Sequence, residues 1–284
     1  MSGTPESQKN RVVAYYQETT EASYLANWSG DALSFHFGLA DETTASLDEA
    51  HLAANAFVAD TLEMKPAERV LDAGCGVGGT SIWLAQHRGV VATGVTLEAG
   101  QVALGQCFAR ERGVADRVSL EVADYAATPF VAGSFDVAFN LESLCHCVTL
   151  PTYFAHLHQL LRPGGRYGCL EFFAGEGKPE LVREVMDAWA MPGWESMEAV
   201  ARALGEAGFV DVQAVDMTPR VALSAKQMRA MAQNSVLVAK LQHVMDGKDR
   251  PVMEGHVRGA IACCDGLLEG GIVYGFVSGR KPRA

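Results

Sequence analysis

Apolar and polar positions repeat with a period that changes along the chain. Over residues 10–26, Val12, Val13, Tyr16, Thr20 and Tyr24 recur at helical spacing until Ser29 and Gly30 interrupt them, which predicts a helical arm. A second helix is predicted over 43–64, where Ala50, Leu52, Ala53, Phe57, Val58 and Leu62 keep a 3.6-residue rhythm up to Pro66, which cannot continue it. The period then shortens. Apolar runs at 69–73, 90–95, 118–123, 135–140 and 165–172 read as strands, and the stretches 80–87, 100–112 and 152–161 read as helices among them. Repeated strand–helix units predict an α/β fold with a mostly parallel, doubly wound sheet covered on both faces. Beyond Gly175 the rhythm loosens. A helix at 197–207, a strand at 209–215 and a final strand at 272–277 are still predicted, with a helix-rich stretch between the last two carrying Met228, Met231 and Met245.

These patterns divide the chain into a helical N-terminal arm and cap (1–64), a core (65–218 and 271–284) and a helical lid insertion (219–270). A length of 284 residues with 49% hydrophobic and 20% charged positions fits one large globular domain. The formal charge of −11 and the absence of basic clusters argue against nucleic acid as a partner. An anionic substrate would need local cations or a metal ion. The seven cysteines form no CxxC pair and no zinc spacing, and read as small buried hydrophobes in a reducing compartment. No signal-peptide pattern and no run of about 18 apolar residues is present, so the expectation is a soluble, cytoplasmic protein without a transmembrane segment. Oligomeric state is left open, a homo-oligomer included.

The stretch Val70-Leu71-Asp72-Ala73-Gly74-Cys75-Gly76-Val77-Gly78-Gly79 joins the first core strand to its helix. Glycines there permit positive φ and let a ligand approach the backbone at a helix N-terminus. In a dinucleotide site an acid would follow about 20 residues on, to hold a ribose. Here the acid, Asp72, precedes the glycines and the second strand ends in Thr96, an arrangement that suits a ligand with a cationic amino-acid portion better than a pyrophosphate.

With these residues the chain resembles class I S-adenosylmethionine-dependent methyltransferases over about 69–173. The resemblance implies a Rossmann-like, seven-stranded sheet and S-adenosylmethionine as cofactor. It assigns Asp72, Gly74 and Gly76 to the methionine portion, Thr96, Leu97 and Gln101 to the ribose segment found in the subset that includes cyclopropane synthases, and Asp124 and Tyr125 to the adenine. Ser34 and Asn140, within the matching segments, are further cofactor contacts, and Tyr16 is another, since an aromatic face can stabilise a sulfonium. Leu161-Arg162-Pro163-Gly164-Gly165 matches a structural turn. Glu142-Ser143-Leu144-Cys145-His146, Ser34-Phe35-His36-Phe37-Gly38 and the aromatic stretch from Trp28 are similar to segments of sterol 24-C-methyltransferases, and Gly78-Gly79-Thr80-Ser81 is shared with bacterial prenyl diphosphate C-methyltransferases.

Methyl addition to an alkene leaves a carbocation that must lose a proton. Glu142, after a strand at the carboxyl edge of the sheet, is the candidate base, with His146 one turn on if the segment is helical and His36 in the aromatic segment as further catalytic candidates. The implied acceptor is a small apolar molecule, an isoprenoid that is either sterol-like or a prenyl diphosphate. The diphosphate would call for Mg²⁺ or for convergence of several of Lys9, Arg11, Arg220, Lys226, Arg229 and Arg258. Alternatives are N- or O-methylation of another natural product, and a non-catalytic S-adenosylmethionine-binding protein.

Overall fold

The structure, a computed structural model, describes residues 4–25, 32–33, 36–234 and 250–283, with backbone alone for 21–25 and 250. Helices α1 (Pro5–Leu25) and α2 (Leu47–Thr61) precede β1 (Arg69–Ala73), α3 (Gly79–Arg88), β2 (Val91–Thr96), α4 (Ala99–Glu111), β3 (Val118–Val122) and β4 (Phe135–Leu141). A 3-10 turn, Leu144–His146, leads to α5 (Leu150–Leu160), β5 (Leu161–Ala174), α6 (Pro179–Ala188), α7 (Met197–Glu206) and β6 (Val210–Asp216). The chain closes with α8 (Thr218–Ala232), α9 (Arg250–Glu269) and β7 (Ile272–Arg280).

The seven strands form one sheet in the order β3-β2-β1-β4-β5-β7-β6. Strands β1 to β5 run parallel, and β7 is antiparallel to both neighbours. The direction of winding reverses between β1 and β4. A crevice opens at such a point beyond the carboxyl ends of the strands, and ligands of open α/β sheets bind there.

Apolar side chains bury on both faces, as the short runs of the sequence require. On one face Val58, Leu84, Phe172, Cys263 and Tyr274 form a core under α2, α3, α8 and α9, and on the other Tyr153, Leu157, Tyr167 and Leu204 pack under α5 and α7. Most of the segment read as a lid therefore contributes core: Val221, Ala225 and Cys264 are buried there, and Met228 is buried too. Met245 lies outside the described residues.

Local differences from the sequence reading have physical causes. Helix α2 starts at Leu47 because Ser46 Oγ accepts the Glu49 N–H at 3.1 Å and Glu49 in turn accepts the Ala45 N–H at 2.8 Å, a reciprocal cap. Helix α6 was not anticipated, although Leu181, Val182, Val185 and Met186 repeat at helical spacing behind Pro179. The thiol of Cys107 is exposed, unlike the buried cysteine expected there. The segment after β4 is not α-helical: Glu142 has φ +49°, and a single 3-10 turn follows. Among the described residues no helix is long and apolar enough to cross a membrane.

Candidate active site

A cavity of about 460 Å³ lies at the crevice, lined from the carboxyl ends of β1, β2, β3 and β4 and closed by α1. At one end, Asp72, Gly74 and Gly76 of the first turn, Thr96, Leu97 and Gln101 after β2, and Asp124 and Tyr125 after β3 stand side by side along its wall. Gly74 (φ +91°) and Gly76 (φ +54°) adopt the left-handed conformation that favours glycine. A Cβ on Gly74 would lie 2.4 Å from Ser143 Cβ, whereas one on Gly76 would meet nothing within 4 Å, so Gly76 leaves room for a ligand.

Asp72 is 2% exposed and accepts the Ser81 hydroxyl at 2.7 Å. Burial pushes its carboxyl up to about 7, partly offset by that hydrogen bond. A cationic ligand beside it would compensate the buried charge. After β2, Thr96 Oγ1 donates to Gln101 Oε1 at 2.6 Å and Gln101 Nε2 donates to Thr20 Oγ1 at 3.1 Å, which ties this end to α1. Glu98 also lines the cavity, but its carboxylate caps α4 through the Gly100 and Gln101 N–H groups. Asp124 accepts the Ala126 N–H and pairs with Lys9 of α1 at 2.5 Å.

The other end is built from distant parts of the chain. Glu142 Oε1 accepts the Phe37 N–H at 2.6 Å and the Tyr274 hydroxyl at 2.7 Å. Burial raises its carboxyl well above the ordinary carboxylate range; the Tyr274 bond opposes this, and the neighbouring Glu171 charge adds to it. Glu171 itself is 1% exposed, accepts the Cys145 and Phe172 N–H groups, and is pushed up to about 7 by burial. His146 does not pair with Glu142, because the 3-10 turn aims it elsewhere: Nε2 meets the Tyr16 hydroxyl at 2.9 Å. Burial lowers its imidazole to about 4, so it is neutral near pH 7.

Two residues assigned from the resemblance sit differently from the assignment. Asn140 is fully buried behind the cavity wall, its amide donating to Ala73 O and Ser143 Oγ and accepting from the Tyr153 and Tyr167 hydroxyls, so no polar atom remains for a cofactor. His36 lines the cavity but turns Nδ1 onto the Phe37 carbonyl at 3.0 Å, and burial lowers it to about 4. Ser34, Phe35 and Trp28 lie outside the described residues. Tyr274, Glu171 and the Tyr15–His256 pair, which joins α1 to α9, were missed. Of these only Glu171 left a visible sign, as the one charge within the stretch 167–174 of β5.

The arrangement fits S-adenosylmethionine: a buried carboxylate with no cation paired to it among the described residues, beside an open glycine turn, then three successive strand ends. Mg²⁺ fits less well. Among the described residues no three His, Cys, Asp or Glu side chains are grouped to hold a metal, and the cavity carboxylates of Asp72, Glu98, Asp124 and Glu142 already have hydrogen-bond or ionic partners.

Residues 70–165 match the family model described as a methyltransferase domain. That match covers the glycine turn and the strand ends beside it. The chain carries a class I S-adenosylmethionine-dependent methyltransferase domain. A 24-methylenesterol C-methyltransferase 2 of Oryza sativa subsp. japonica is 30% identical over 227 residues, 76% of this chain and 61% of that protein. A probable chloroplastic tocopherol O-methyltransferase of the same organism is 32% identical over 177 residues, 59% of this chain and 49% of that protein. The chain thus spans about half to three fifths of these relatives' length. In fold, the methyltransferase domain and its flanks are similar to a geranyl diphosphate methyltransferase solved with GPP and sinefungin, with a TM-score of 0.78 at 22% identity over 96% of this chain and 99% of that one.

Proposed function

We propose that this protein transfers the methyl group of S-adenosylmethionine to a carbon of an uncharged apolar acceptor, an alkene in an isoprenoid or sterol-like molecule. The observation that carries this reading is Glu142: a buried carboxylate at the junction of the cofactor end with an apolar wall, gripped on one oxygen by the Phe37 N–H and the Tyr274 hydroxyl. S-adenosylmethionine, when bound, supplies an electrophilic methyl. As the acceptor's π pair forms the new carbon–carbon bond, the methyl–sulfur bond breaks and positive charge develops on the adjacent acceptor carbon. In its ionised form, which the Phe37 N–H, the Tyr274 hydroxyl and the positive charge of the bound cofactor all favour over the neutral acid, Glu142 stabilises that charge and takes a proton from the neighbouring carbon, whose C–H pair becomes the new alkene. Alignment of donor and acceptor and exclusion of water by α1 supply much of the rate.

The charge of the wall supports a neutral acceptor. Of the six cations that a diphosphate could recruit, only Lys9 is among the described lining residues, and it is paired with Asp124. Arg11 bonds to Gln8, Arg220 lies over the Phe57 ring, Arg229 pairs with Asp265 and Arg258 with Glu184. A second reading, O- or N-methylation, is favoured by the tocopherol relative. In it Glu142 takes a hydroxyl or amine proton, and no carbocation forms.

The test is incubation with methyl-labelled S-adenosylmethionine and a panel of sterols, prenyl alcohols and prenyl diphosphates, with and without EDTA. Neutral acceptors should turn over in EDTA and carry the label on carbon. Label on a heteroatom selects the second reading, and EDTA-sensitive turnover of diphosphates alone overturns the neutral acceptor. Glu142→Gln should keep cofactor binding and lose turnover by about 10²-fold or more, the low end for a positioned base; near-normal turnover removes Glu142 from the chemistry.

A further inference from the structure

The peptide that grips Glu142 belongs to a segment, 36–40, that is irregular and yet buried, with Phe37 2% and Leu39 0% exposed. Buried backbone groups outside helices and strands need individual partners. Leu39 N–H donates to Ala50 O at 2.9 Å, Ala40 N–H to Arg220 O at 2.7 Å, and Ser224 Oγ donates to Gly38 O at 2.7 Å. The Phe37 carbonyl accepts from His36 Nδ1, and the Phe37 N–H reaches Glu142. One residue, Phe37, therefore separates the His36 ring from the Glu142 carboxylate: its C=O takes the ring, and its N–H, in the preceding peptide unit, takes the carboxylate.

Behind that ring is a set of polar atoms with complementary needs. With Nδ1 as donor and the imidazole neutral, His36 Nε2 carries a lone pair, and it is buried without a partner of regular geometry. His51 packs edge-on against His36 with ring centroids 5.4 Å apart. Its Nδ1 is likewise buried and unpartnered. Asn55, one turn along α2 from His51, is 0% exposed and offers the missing donors at Nδ2, also without a regular partner; its amide is the side chain that interacts with the His36 ring. Its Oδ1 accepts from Thr80 Oγ1 at 2.9 Å, and Thr80 lines the cavity at the start of α3, directly after the glycine turn.

We propose that Asn55 is a positioning residue for Glu142: Thr80 anchors its amide, the amide orients the His36 ring, the ring holds the Phe37 carbonyl and with it the Phe37 backbone, and the Phe37 N–H aims the carboxylate. The amide thus links the glycine turn to the reacting end. Chemical significance for the link rests on Glu142 being the proton acceptor, but its existence does not, and the two can fail separately.

The experiment uses the full chain, labelled with ¹⁵N on backbone amides and ¹³C on glutamate carboxyls, with no acceptor required. In Asn55→Leu, hydrogen exchange at the Phe37 amide should accelerate at least tenfold while the Leu71 amide of β1 keeps its rate. The Glu142 carboxyl should titrate about half a unit or more higher, because a hydrogen bond to the charged form is lost. Glu171 and Tyr274 also face this carboxyl and are untouched by the substitution. Thr80→Val, which removes the anchor and leaves Asn55 in place, should give the same shifts at smaller size, and Thr80→Ser should restore them, so the inference survives if Asn55→Leu folds poorly. Unchanged Phe37 exchange and Glu142 titration in both variants, or equal acceleration at Phe37 and Leu71, overturns the proposal. Normal turnover in Glu142→Gln with these shifts present would sink the base reading and leave the positioning link standing.

Discussion

The two ends of the cavity are assembled by opposite routes. The cofactor end comes from consecutive strand–helix turns, Asp72 through Tyr125, whose neighbours in space are successive units in the chain. The other end, where the proposed acceptor would lie, is closed by bonds that span it: Glu142 to Phe37 and to Tyr274, Tyr16 to His146, and Tyr15 to His256. The first kind of site is fixed by local backbone geometry. The second depends on the docking of α1, α9 and β7, so substitutions at the two ends should separate binding from turnover.

The largest effect on the cofactor end should come from Gly74→Ala. The position has φ +91°, and the new Cβ would fall 2.4 Å from Ser143 Cβ. Ser143 cannot yield freely, since its hydroxyl donates to Ala73 O at 2.5 Å and accepts from Asn140 at 2.9 Å. Strain of about 1–3 kcal/mol plus the displacement of the turn should weaken S-adenosylmethionine binding roughly 100-fold by titration calorimetry. Gly113→Ala, also at positive φ (+68°) but with nothing within 4 Å, is the control and should leave affinity unchanged. Equal effects from the two would show that strain alone, not the shape of the cofactor end, is being measured.

Asp72→Asn should have the next largest effect, visible as a change in pH dependence. In the empty protein burial holds the Asp72 carboxyl at about 7. A cationic ligand favours the ionised form, so affinity should fall as pH drops below about 7, by up to tenfold per unit, and level off above it. Asp72→Asn should abolish the slope. The stability of the empty protein should run the other way: the native carboxyl binds its proton more tightly than the unfolded one, so this group's contribution declines as pH rises from about 4 to about 7. A slope that survives the substitution would assign the proton to another group.

The same contrast explains which features are legible in the sequence. The alternation of short apolar runs with helices made the sheet and the glycine turn legible, because each run is a strand buried on both faces and its turn is local. The place of Asn140 near a strand end is visible in sequence, whereas its direction into the Tyr153 and Tyr167 hydroxyls is not. Nothing near Tyr274 announces that its hydroxyl meets a carboxylate 132 positions away. His146 was expected to assist Glu142 on helical spacing, but the positive φ of Glu142 breaks that spacing, a local property that a non-glycine residue gives no cause to expect.

The smallest predicted effect tests where the boundary between the two ends lies. Lys9 reaches from α1, part of the wall that closes the cavity, to Asp124 in the cofactor end, and the paired side chains are 33% and 21% exposed. An ion pair so placed is screened by solvent and contributes at most about 1 kcal/mol. Its loss also releases a carboxylate that can accept a hydrogen bond from an adenine amino group without breaking the pair. Lys9→Ala should therefore change S-adenosylmethionine affinity less than about fivefold, toward tighter binding, and leave the pH slope from Asp72 intact. A loss beyond tenfold would instead make Lys9 a contact of the bound molecule and move α1 into the cofactor end. The separation of the two ends would then fail at the helix that closes both.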